Sequence, residues 1–100
     1  MTPLRIVHIT PPPRLTAFIA EAREGEFRRI FGQNIEVIHV SHVGKTAAEL
    51  VRILRDMAAD AIVLASAPPM HRQAVVGLAG ETLILHPVRE QYRTHRGEQE

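Results

Sequence analysis

The chain has 100 residues, 45% of them hydrophobic and 23% charged, with a formal charge of +1 from 12 basic and 11 acidic residues. This is the composition of one small globular domain, long enough to bury a core without disulfide or metal staples. The interleaved, balanced charge argues against a duplex nucleic-acid binder, which needs a basic stripe, and the lack of cysteine excludes disulfides, thiolate metal sites and a cysteine nucleophile.

Leu4 to Thr10 is a β-branched run stopped by Pro11-Pro12-Pro13, since three prolines can neither pair in a central sheet nor enter a helix interior. The N-terminus carries no long apolar h-region, and no apolar run approaches the ~18 residues of a membrane span, so the chain reads as cytoplasmic with no membrane partner. Leu15, Phe18, Ile19 and Ala22 recur at helical spacing. After Gly25 the apolar set Phe27, Ile30, Phe31 is displaced by roughly a quarter turn, which predicts a kink or a second short helix. Gly32 fits the stop.

Asn34 to Val43 is the second strand, punctuated by Gly44. Lys45 to Ala59 is the clearest helix, with Leu50, Val51, Ile53, Leu54, Met57 and Ala58 on one face and Glu49, Arg52 and Asp56 opposite. Ala61 to Ala65 is an apolar third strand ending in Ser66. Pro68-Pro69 opens a small-residue helix, Met70 to Ala79, which Gly80 closes. Thr82 to Val88 is the fourth strand. Residues 1–88 therefore form one domain, and 89–100 form a polar C-terminal tail or short final helix.

The order β-α-β-α-β-α-β, with strands that lack a clean polar face, predicts an α/β fold. Its sheet is mostly parallel and four-stranded, with helices on both faces. Right-handed crossovers then bring every strand's carboxyl end to one edge. Ile6-Val7-His8-Ile9-Thr10 echoes Val37-Ile38-His39-Val40-Ser41 position by position, and Ile62 to Ser66 follows the same outline. Plain β-propensity accounts for such an echo. A functional reading also accounts for it, because Thr10, Ser41 and Ser66 would line one rim beside loop and helix N–H groups suited to a phosphate.

His8 and His39 hold matching positions and would lie side by side on neighbouring strands. With His86 they would make a metal site only if three separate strands converged, and hydrogen-bonded, half-buried imidazoles are the simpler reading; no metal or other cofactor is expected. His71, in the first turn of the third helix, is the candidate acid or base, against the simpler reading of a solvated first-turn histidine. Gly44-Lys45-Thr46 resembles the end of a phosphate loop, but His39 stands where that loop needs its first glycine. Lys45 is thus a helix first-turn cation. No G-x-G-x-x-G, G-x-S-x-G or H-E-x-x-H is present.

Ile9-Thr10-Pro11-Pro12 after the first strand and Ser66-Ala67-Pro68-Pro69 before the third helix, on a compact four-strand α/β chain, resemble the small CRISPR-associated proteins related to the CARF domain. That resemblance covers most of the chain in architecture and few residues in detail. It implies a Rossmann-like unit and a homodimer whose two rims enclose a cyclic oligoadenylate second messenger, sequestered or cleaved as by a ring nuclease in type III CRISPR antiviral defence. On this expectation Thr10, Ser41 and Ser66 hold phosphates, and Lys45 and Arg72 neutralise charge. His71 serves a metal-independent cleavage that needs little beyond positioning. The rival classes are a protein–protein interaction module without a ligand, for which the apolar third helix speaks, and a phosphate-binding subunit of a larger enzyme.

Overall fold

Short β-branched runs become strands, and the amphipathic stretches between them become helices. The computed structural model describes residues 2–10, 17–65, 67–88 and 91–94. In chain order they form β1 (Leu4–Thr10), α1 (Ala17–Phe31), β2 (Ile35–Ser41), α2 (Ala47–Met57), β3 (Ala61–Leu64), α3 (Pro69–Val76), β4 (Leu83–Val88) and β5 (Gln91–Thr94). The sheet order is β2-β1-β3-β4-β5. The first four strands are parallel and β5 is antiparallel to β4.

The chain adopts the expected α/β fold: the four expected strands are parallel and covered on both faces, and β5 adds an antiparallel edge. Successive residues of each strand serve opposite faces, as the pleat requires. Val7, Ile9, Val40, Ile62, Leu64 and Ile84 are buried with Leu50 and Leu54 of α2 and with Val75 and Leu78 in and just after α3. Ile6, Ala61, Val63 and Leu85 are buried on the other face with Phe27 of α1. One helix therefore covers one face and two helices cover the other.

Two local differences from the sequence reading have physical causes. Gly25 does not divide α1, which runs unbroken from Ala17 to Phe31. The drifting apolar stripe is tolerated because only part of it is buried: Phe27 is fully enclosed, while Ile30 is 48% exposed. Gln91–Thr94, within the segment read as a polar tail or short helix, is a fifth strand. It lies two residues after β4, close enough for antiparallel pairing, whereas a parallel return would need a long crossover. The remainder of that segment, 89–90 and 95–100, lies outside the described residues.

The strand order reverses direction after β1: the chain steps from β1 to β2 on one side, then returns across β1 to β3. The crossovers after β1 and β3 consequently leave toward opposite faces, and ligands of open α/β sheets bind outside the carboxyl ends at such a point. Among the described residues, no helix is long and apolar enough to cross a membrane.

Candidate functional site

The carboxyl edge is built by the turn from β2 into α2. Ser41 ends β2, and its hydroxyl oxygen accepts the N–H of Val43 at 3.1 Å. Its proton stays available to another acceptor. Gly44 then reverses the backbone at φ 77°, a left-handed conformation that costs any other residue strain. The Lys45 N–H donates to the His42 carbonyl at 3.2 Å, and its ammonium donates to the Ser41 carbonyl at 2.9 Å. Thr46 closes the turn as the N-cap of α2: its hydroxyl accepts the Glu49 N–H at 3.1 Å, and the Glu49 carboxylate accepts the Thr46 N–H at 2.8 Å. The Thr46 main-chain N–H first, and the Thr46 side chain second, hold the Glu49 carboxyl below its ordinary range.

From the other side, α3 brings its first turn against this loop. Pro69 at its start fixes φ for the helix and lacks only an N–H that would have no helical partner. His71 donates its Nε2–H to the Lys45 carbonyl. That fixes the neutral tautomer, so Nδ1 carries the lone pair, and Nδ1 is buried without a partner among the described residues. The His42 ring lies 5.8 Å from that of His71, centroid to centroid. Arg72, one residue on, directs a guanidinium N–H toward Nδ1 of His86 in β4 at 3.5 Å.

The structure thus brings Ser41, Lys45 and His71 into one bonded group and sets Arg72 beside them in sequence, turned toward β4. Thr10 is the backbone neighbour of Ser41 in the β1–β2 register, while its side chain, like the whole of Ser66, lies outside the described residues. The expected general acid or base, His71, has one ring nitrogen donating to a carbonyl and the other buried without a partner among the described residues. Neither Lys45 nor Arg72 is ion-paired with a carboxylate among the described residues. Elsewhere the pairs Arg5–Glu36, Arg23–Glu26 and Arg55–Glu81 form at 3.0–3.1 Å. A concavity of about 340 Å³ opens beside Lys45, lined also by Gly44, Glu49, Arg52 and Ile53. That is the small end of the range for ligand pockets.

Comparison with protein-family models, with curated proteins and with solved structures returns no match for this chain.

The echo between β1 and β2 is a true register: His8 pairs with His39 and Thr10 with Ser41. His8 and His39 lie on the α1 face, where their Nδ1 atoms are 3.0 Å apart. His39 Nε2 faces the Glu24 carboxylate of α1 at 3.4 Å. His8 is 4% exposed and rests edge-on against Phe27 with ring centroids 5.5 Å apart. His86 does not join them, since it pairs with Arg72 on the other face. Among the described residues no group of three ligands is placed to hold a metal ion. Glu24 has no sequence signal, because it lies 15 residues from His39 and meets it only where α1 crosses the sheet.

Proposed function

We propose that the chain binds a nucleotide through its phosphates at the carboxyl edge of the sheet. A cyclic oligoadenylate messenger is the ligand class, and a homodimer is the form that offers two such edges to one ring. The observation that carries this reading is the pair of cations, Lys45 in the β2–α2 turn and Arg72 in the first turn of α3, on the connections that follow the two strands flanking β1. Neither is within ion-pair distance of a carboxylate among the described residues. A phosphate there gains charge-assisted hydrogen bonds from both, and from the Ser41 hydroxyl.

The reading favours sequestration over turnover. His71 spends Nε2 on the Lys45 carbonyl and buries Nδ1, so its part is to position the Lys45 turn. Incubation with cyclic tetra-adenylate followed by chromatography tests this. Co-elution of intact ligand with the protein is the expected result. Linear products that vanish in His71→Ala would instead make His71 catalytic, and a ligand that elutes apart from the protein would remove the nucleotide reading.

A second reading, the interaction module, is favoured by Met70 at 76% exposure and Val43 at 54%. Both belong to the loops and helix turn of the same edge. Two large apolar side chains held out at an otherwise polar rim suit a protein surface.

A further inference from the structure

We propose that Glu24, His39 and His8 form a proton-sharing site, in which His8 accepts a proton at Nε2 and passes its own Nδ1 proton to His39. This stands apart from the ligand reading, because the three residues lie between α1 and the sheet, two residues below the Thr10–Ser41 rim on the same strands.

The tautomers follow from the contacts. An ionised Glu24 carboxylate can only accept, so neutral His39 carries its proton on Nε2. Its Nδ1 lone pair then faces His8 Nδ1 at 3.0 Å, and that contact is a hydrogen bond only if His8 donates. His8 Nε2 is left with a lone pair. When Nε2 takes a proton from an O–H or water donor, the Nδ1 proton of His8 moves across to His39 Nδ1. The His8 ring is neutral again with its tautomer exchanged, and the positive charge rests on His39 beside the Glu24 carboxylate. Two N–H bonds form, at His8 Nε2 and at His39 Nδ1; one N–H breaks at His8 Nδ1 and one O–H breaks at the donor, which leaves as its conjugate base.

Burial explains why the arrangement is useful. His8 is 4% exposed, and a lone imidazolium there would lose its hydration. The side chains of His39 and Glu24 are 18% and 30% exposed, so the pair moves charge outward to where it is solvated and countered. The charged groups that act on His8 are His39, Arg23 and Glu26, and Arg23 and Glu26 pair with each other at 3.1 Å. A second proton has no place: two Nδ1–H groups would then confront each other across the β1–β2 contact. In keeping with this, burial first and the His39 charge second hold His8 down to about 4.

Imidazole ¹⁵N NMR of the whole chain tests the proposal. At neutral pH the expected pattern is Nδ1–H on His8, Nε2–H on His39 and a scalar coupling between the two Nδ1 nitrogens. On acidification the first proton changes both rings in one step, with His39 becoming the cation and His8 turning to its Nε2–H form. Glu24→Gln, at a half-exposed position, lowers the proton affinity of that step about tenfold. Independent titration of the two rings, a cation on His8 in the first step, or a Glu24→Gln midpoint equal to that of the unaltered chain would each overturn it.

Discussion

His71, in the first turn of α3, donates its Nε2–H to the main-chain carbonyl of Lys45, the last residue before the α2 cap. One imidazole therefore joins the third crossover to the start of the second, and it does so at the edge where the strand order reverses. His71→Ala removes this bond and leaves the Lys45 carbonyl to find another partner, at a cost of about 1 kcal/mol. The midpoint of thermal unfolding should fall by roughly 4–8 °C. His71→Gln keeps an N–H donor and should recover part of the loss. A melt of His71→Ala that matches the unaltered chain would show that the bond contributes nothing.

Acid sensitivity follows from His8. Its ordinary value is 6.5 and in the fold it lies at about 4, lowered by burial and then by the charge of His39. Between these two values the unfolded chain binds more protons than the folded one, so stability falls as pH drops through that window. Above it His8 has no effect on pH dependence, and below it the loss is complete, at roughly 3 kcal/mol. Urea unfolding from pH 7 to pH 4 should show this slope. His8→Gln, which cannot titrate, should flatten it.

The α2 cap gives a third expectation. Thr46 and Glu49 satisfy each other's main-chain N–H groups, and Thr46→Ala should cost about 1 kcal/mol. Thr46→Ser retains the hydroxyl and should remain within a few tenths of a kcal/mol. Equal loss in both variants, measured by urea denaturation, would point to the Thr46 methyl rather than the cap.

Arg72 separates binding from folding. It contacts His86 at 3.5 Å and, among the described residues, is paired with no carboxylate. Arg72→Ala should move stability by no more than about 0.5 kcal/mol while weakening nucleotide binding tenfold or more. Arg72→Lys should recover only part, because an ammonium lacks the planar fork that meets a phosphate with two N–H groups. Calorimetric titration of the three proteins makes the comparison.

Much of this fold is legible in the chain itself, because its strands are short β-branched runs and its clearest helix carries a sharp apolar face. β1 spans Leu4–Thr10 as the residues predict, and α2 falls inside the helical stretch read from Lys45 to Ala59. β5 was hidden because Gln91, Tyr92, Arg93 and Thr94 have no apolar alternation, and their strand state derives from pairing with β4. At the site, the echo around His8 and His39 held a real neighbour relation. The Glu24 partner and the Lys45–His71 bond depend on how helices cross the sheet, and no spacing along the chain encodes that. From sequence His71 is a first-turn imidazole, either an acid or base or merely solvated; in three dimensions its Nε2–H also ties α3 to the Lys45 turn.

The most direct test of the edge as a nucleotide site is a thermal melt of the purified chain with cyclic tri-, tetra- and hexa-adenylate. A ligand at ~100 times its dissociation constant adds about 2.7 kcal/mol, which for a domain of this size is a rise of roughly 10–20 °C. Such a rise is expected with one ring size, and a smaller one in Arg72→Ala. A cooperative transition that stays in place with all three rings would contradict it and leave the rim of Val43 and Met70 as a protein-docking surface.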